Sequence, residues 1–142
     1  MKFEIDQFDA IAYIFETANG NTPGDYENSV IDASGFKDTP PQELVDDILV
    51  SFREGNPGDI EYRLSAYWAL AKRFDKNLLP FFREQLEVEI EVEEAPGVFQ
   101  LLIAIDNLAE PAFGTDRNGS YSGFDSDLNI RDAKAYLKRS SG

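Results

Sequence analysis

Apolar and polar residues recur along this chain mostly with the 3.6-residue period of amphipathic helices, and one stretch departs from that pattern. From Pro96 to Leu108, the residues Val98, Phe99, Leu101, Leu102, Ile103, Ala104, Ile105 and Leu108 leave no polar stripe wide enough to face water. A helix here is expected to be buried all round, with the amphipathic segments packed against it.

Those segments can be delimited by their caps. Phe8, Ile11, Ala12, Phe15 and Ala18 mark a first helix over Asp6 to Ala18, and Asn19-Gly20 offers a left-handed stop. Thr22-Pro23-Gly24-Asp25 reads as N-cap, first-turn proline and third-position acid for a second helix, lined by Tyr26, Val30 and Ala33 and ending near Gly35. Thr39-Pro40-Pro41-Gln42 has the form of a capping box; Leu44, Val45, Ile48, Leu49 and Phe52 follow as one face, and Gly55 closes the helix. After Asn56-Pro57-Gly58, Asp59 caps a fourth helix with the stripe Ile60, Leu64, Tyr67, Trp68, Ala71 and Phe74. The short connection predicts that helices three and four pack antiparallel.

Two periods compete in the next segment. Leu78, Leu79, Phe82, Leu86 and Ile90 keep helical spacing, whereas Leu86, Val88, Ile90 and Val92 alternate with Glu87, Glu89, Glu91 and Glu93 as a half-buried strand does. No second alternating run exists to pair with such a strand, so a helix through about Glu91 is expected. Ala95-Pro96 opens the apolar helix, a polar Gly/Ser-rich loop covers 114–129, and Ile130, Ala133 and Leu137 mark a last short helix. Helices three with four and five with six repeat at about forty residues, roughly the HEAT period. The expected fold is all-α: a single-domain, HEAT-like antiparallel stack of about six or seven helices over 1–139, without substantial sheet, followed by a frayed tail at 140–142.

Composition narrows function mainly by exclusion. The chain has 142 residues with 27 acidic against 13 basic side chains, a net charge of −14. That field repels phosphate backbones and anionic membranes, and speeds encounter with a basic protein. With neither Cys nor His, thiolate chemistry, His triads and His- or Cys-ligated metals are unavailable. The acids of Met1-Lys-Phe-Glu-Ile-Asp6 stand where a signal peptide carries an apolar run, and no apolar stretch reaches spanning length; a cytoplasmic protein is expected.

Three groups of side chains could carry chemistry. Asp116, Asn118, Ser120 and Asp127 occupy positions 1, 3, 5 and 12 of a calcium-type loop, but Tyr121 replaces the required Gly and Asp127 the usual bidentate Glu. The reading preferred is a surface loop with Asx turns, and no cofactor or metal is expected. Glu84, Glu87, Glu91 and Glu94 form an acidic ridge at helical spacing, with Glu89 and Glu93 beside it: either a solvated face or a recognition ridge for a basic partner. Paired-carboxylate hydrolysis lacks the surrounding cleft and oxyanion donors it needs. Asp106 and Asn107, on the apolar helix, are expected to cap a neighbouring backbone end or to pair with Arg73 or Arg131, and Tyr67-Trp68 to lie in the core.

Ala66-Tyr-Trp-Ala-Leu-Ala-Lys-Arg-Phe, Leu78-Leu-Pro-Phe-Phe-Arg-Glu, Phe99-Gln-Leu-Leu-Ile-Ala-Ile-Asp-Asn-Leu-Ala-Glu and Asn129-Ile-Arg-Asp-Ala-Lys-Ala-Tyr-Leu resemble stretches of the small helical immunity proteins of bacterial contact-dependent inhibition and polymorphic-toxin systems. The resemblance covers roughly the last three-fifths of the chain and rests on core and helix-boundary patterns. It implies a non-enzymatic cytoplasmic protein that binds and neutralises one cognate toxin domain, and the acidic charge of this chain adds the expectation that the domain has a basic surface. It transfers no catalytic residue. The expected partner-binding acids are Glu87, Glu91 and Glu94 on the acidic ridge and Asp116, Asp125 and Asp127 in the long loop. The alternative is a cytosolic HEAT-like adaptor that binds another basic protein.

Overall fold

A computed structural model of the chain describes residues 3–54 and 58–141. The described residues form seven α-helices: α1 (Gln7–Ala18), α2 (Asp25–Ser34), α3 (Pro41–Arg53), α4 (Ile60–Ala71), α5 (Leu79–Glu91), α6 (Ala95–Asp106) and α7 (Ser126–Ser141). Single 3₁₀ turns lie at Lys76–Leu78 and Thr115–Arg117, and no strand occurs among the described residues. The all-α expectation holds, and the contested segment around 86–92 is helical through Glu91. The closing Gly55, Asn56-Pro57 of the following turn and Gly142 lie outside the described residues. Ser140 and Ser141, read from the sequence as tail, belong to α7.

Contacts divide the chain into two compact units, Met1–Arg73 and Phe74–Gly142. In the first, α1 is the central element, packed on α2, α3 and α4. Its Phe8, Ala10, Ile11, Ala12, Ile14 and Phe15 are all buried, so this helix shares the role expected of the apolar stretch alone. Phe8 meets Phe3 at 5.7 Å and Tyr62 of α4 at 5.1 Å, ring centre to ring centre. Helices α3 and α4, expected to pack antiparallel, meet each other directly. Large side chains join them, with the rings of Phe52 and Tyr67 stacked at 5.6 Å, while both approach α1. Asn19, just past α1, donates from Nδ2 to the carbonyls of Lys72 and Arg73 and so satisfies the end of α4.

Two of the cap assignments change. The N-cap of α2 is Gly24 instead of Thr22, and that of α3 is Pro40, leaving Thr39 one residue outside. The capping box does not form, and Gln42 donates to Asp46 along the helix instead. Asp59 does cap α4, accepting from the amide of Tyr62 at 3.0 Å.

In the second unit, α6 packs on both α5 and α7, which also touch each other. Gly97, Val98, Leu101, Leu102, Ala104 and Ile105 are buried, and Phe99, Gln100 and Ile103 half-buried, so α6 is close to the all-round burial its sequence implies. The fully buried Glu89 of α5 lies against Gly97, where a Cβ would come within 2.8 Å of its carboxyl carbon. Three helices end on a non-glycine residue in the left-handed region: Phe74, Glu93 and Ala109, with φ of 52°, 59° and 60°.

Two substitutions test this packing in opposite directions. Ala109→Gly removes the left-handed strain at an exposed site and is expected to add about 0.5–1 kcal/mol, a rise of roughly 1–4 °C in thermal midpoint. Gly97→Ala drives a methyl into Glu89 and is expected to cost about 1–3 kcal/mol despite its better helix propensity. A double-mutant cycle with Glu89→Ala, read by urea unfolding, should recover a coupling of at least about 1 kcal/mol. Additive effects would rule out the close contact.

Candidate functional site

The chain leaving α6 has few apolar residues with which to hold a long connection, yet the connection is ordered by an arginine. Beyond Ala109 it runs through Phe113 into the 3₁₀ turn Thr115–Arg117, which Asn118 and Gly119 end in consecutive left-handed conformations. These aim Arg117 inward, and its side chain is 2% exposed. One guanidinium nitrogen donates to Asp132 Oδ2 at 2.7 Å and the other to Asn129 Oδ1 at 3.0 Å. The group also lies 5.5 Å and 5.7 Å from the ring centres of Phe113 and Tyr121, which stack on each other at 3.8 Å.

A second arginine completes the network. Arg131 holds both oxygens of Asp116, at 2.9 Å and 2.8 Å, and donates to Asp132 Oδ1 at 3.0 Å and 2.8 Å. Gly114 is required beside it, because a Cβ there would lie 2.6 Å from Asp116, 2.8 Å from Arg131 and 2.9 Å from Asp132. Burial pushes the Asp132 carboxyl up, but hydrogen bonds from the Gly114 backbone and the two guanidiniums outweigh it and hold the group below its usual range. The Arg131 hydrogen bonds likewise lower Asp116, and the two acids raise Arg131.

Asn129 extends the network to the loop tip. Its Nδ2 donates to the Ser122 carbonyl at 2.9 Å, and the same carbonyl accepts from the amide of Asp125 at 3.2 Å. Ser122 Oγ accepts from the amide of Phe124 at 3.1 Å. Gly123 lies against the Phe99 ring of α6, 3.4 Å from where its Cβ would sit. Phe124 stands at this fixed tip 97% exposed.

The chain matches no family model, no curated protein and no solved structure.

The sequence-derived acids occupy different settings. Glu87 and Glu91 lie one turn apart on the exposed face of α5, with Glu84 on the same face, while Glu94 is half-buried at the start of α6. Asp116 and Asp125 both enter the arginine network, Asp125 only at 3.8 Å from Arg117, and Asp127 is exposed in the first turn of α7. The calcium-type positions do not converge. Asp116 turns to Arg131, Asn118 donates to the Asp116 carbonyl, and no group of three acids suited to a metal occurs among the described residues. Glu89, read as lying beside the ridge, is buried, whereas Val88 and Val92 are 40% and 53% exposed beside Glu87 and Glu91.

Asp106 is half-buried and Asn107 exposed, so neither needs the partner expected for a buried polar group. Arg131 is taken by Asp116 and Asp132, and Arg73 lies over the Phe15 ring. Helix α7 begins four residues earlier than expected, and its buried face is Asn129, Asp132, Ala133 and Tyr136; of the expected stripe Ile130, Ala133 and Leu137, Ala133 is buried and the other two are half-buried. Sequence reasoning missed Arg117, Asn129, Asp132 and Phe124. The spacing of Asn129, Asp132, Ala133 and Tyr136 is helical, and it is the one signal that could have found the polar members.

Asp132→Asn leaves Arg117 buried without its counter-charge and is expected to cost about 3–5 kcal/mol in urea unfolding. Amide exchange over 113–125 should accelerate in the same variant. The Asp132 and Asp116 values are lowered by folding, so their stabilisation is present above the ordinary 3.8 and is lost as pH falls through the lower folded values. Protection of the loop should stay level from about pH 7 to 5 and collapse only below about 4.

Proposed function

We propose that this chain is a non-enzymatic cytoplasmic binding protein that neutralises a cognate toxin domain by covering a basic surface on it. The observation that carries the reading is the set of exposed carboxylates without a neighbouring cation: Glu84, Glu87 and Glu91 share one face of α5 with no ion pair among the described residues. The nearest arginine in sequence, Arg83, points elsewhere, donating to the Tyr136 hydroxyl at 2.9 Å and to Glu110 at 3.3 Å. Carboxylates so presented attract a basic partner and raise its encounter rate. The resemblance to helical immunity proteins supplies the kind of partner.

Within this reading Glu87, Glu91, Asp125 and Asp127 are the contact acids. Asp116 already holds Arg131 and Glu94 is half-buried at a helix start, which makes them weaker contributors. The acidic field also argues against nucleic acid and anionic membranes as ligands, and no described helix is long and apolar enough to cross a membrane.

The gene immediately upstream of this one is where an immunity protein's toxin is encoded. Its product should form a stable complex with this chain, and the association rate should fall at least about tenfold between roughly 20 and 500 mM salt. A rate independent of salt removes the electrostatic mechanism. A complex with some other basic protein, and none with the toxin, favours the adaptor reading.

A further inference from the structure

We infer that Phe124 is the anchor of the partner interface, inserting into an apolar socket rimmed by lysine or arginine on a folded protein. The inference deepens the binding reading above and rests on it. Isolated exposed apolar side chains are ordinary, and a loop tip that simply wanders explains most of them. Phe124 differs because the backbone on either side of it is fixed. Ser122 accepts from the Phe124 and Asp125 amides and from Asn129 Nδ2, while Asn129 is held by the buried Arg117, whose charge is met by Asp132. A ring presented this way has already lost the loop entropy that an unstructured tip loses on binding. Aromatic side chains that enter a pocket on a partner supply most of the energy at many interfaces.

Charge selects among the possible occupants. Asp125 and Asp127 follow the ring within three positions and are both exposed. Asp125 is only partly neutralised, by Arg117 at 3.8 Å, whose short bonds go to Asp132 and Asn129; Arg131 is taken by Asp116 and Asp132, and Asp127 has no ion pair among the described residues. The next apolar side chain along, Leu128, is 38% exposed. An anionic lipid surface or a phosphate backbone is repelled by those carboxylates, and a second copy of a chain with net charge −14 offers a poor rim for them. A basic-rimmed apolar pocket satisfies ring and carboxylates together.

Phe124→Ala and Phe124→Trp, with the toxin domain encoded upstream as the probe, decide the matter. Because the ring is exposed, both variants should unfold at the wild-type urea midpoint. Phe124→Ala is expected to weaken the complex about thirtyfold or more, mainly through faster dissociation, while Phe124→Trp retains most of the affinity. Wild-type affinity in Phe124→Ala overturns the anchor and leaves the toxin-binding reading intact. Failure of the wild-type chain to bind the domain overturns that reading and the anchor's partner with it. Two measurements on the free protein are independent of the toxin. Backbone order parameters at 122–125 should match those of α7, and values below about 0.6 overturn the fixed tip. Sedimentation should show a monomer; a dimer that Phe124→Ala dissolves assigns the ring to self-association and overturns the basic socket.

Discussion

A guanidinium cannot be taken out of water without nearly complete compensation, and Arg117 imposes that requirement on the whole crossing from α6 to α7. Asp132 and Asn129 must sit on one face of α7, Phe113 and Tyr121 must stack beside the charge, and Gly114 must lack a side chain. Each condition fixes a different part of the connection. A segment rich in Gly and Ser thereby acquires one conformation without much apolar burial of its own. Replacing such a network by apolar residues can be neutral or stabilising in other proteins, so its contribution here is best understood as specifying the loop path, with the penalty falling on any change that removes one member alone.

The same residue type organises the rest of the second unit. Arg83 ties α5 to the Tyr136 hydroxyl of α7 and to Glu110, and Arg139 donates to the Pro111 carbonyl while its guanidinium lies over the Tyr136 ring. Burial raises the Tyr136 hydroxyl, and the Arg83 hydrogen bond opposes that shift, so the phenol stays neutral and is held in place. Planar, multidentate guanidiniums suit these positions better than ammonium groups. A consequence follows for the surface. Cations turned toward carbonyls and paired acids inside the unit leave Glu84, Glu87, Glu91 and Asp127 facing solvent without local neutralisation. The local field around α5 and the start of α7 is set by those acids, and at physiological salt it extends about 8 Å into solution.

Much of the fold was legible because helices announce themselves locally. The apolar periods of α1, α3 and α6, the Asp59 cap, the left-handed stop at Gly20 and the helix end near Gly35 all depend on neighbours within a turn or two, and all are present, whereas of the stripe expected on α4 only Tyr67 and Ala71 are buried and Phe74 is exposed. What failed depends on partners distant in sequence. Glu89 is buried and Val88 and Val92 exposed, the reverse of their residue types, because the geometry of α5 puts position 89 against Gly97. The face of α7 was misread for a related reason. Asn129 and Asp132 count as solvent-facing by type, and only Arg117, fifteen residues before Asp132, makes them interior. Phe124 was passed over since an aromatic in a Gly/Ser-rich loop carries no period. Its significance comes from hydrogen bonds to Ser122, which a sequence does not display.

Acids and anchor act on different stages of association. Long-range charge changes how often two proteins meet in a useful orientation, and it decays with salt; a buried ring changes how long they stay together, and salt hardly touches it. A surface with acids alone makes a fast and weak complex with any basic protein, which is poor discrimination for the single-partner recognition we propose. A lone exposed ring makes a slow and sticky one. Placing Phe124 immediately before Asp125 and Asp127, on backbone held by Asn129, brings the two together in one short stretch. A competitor must then offer a cavity and a rim of positive charge in register with a loop that cannot adjust. Specificity in this arrangement comes from rigidity, and rigidity is traced back to the buried charge of Arg117.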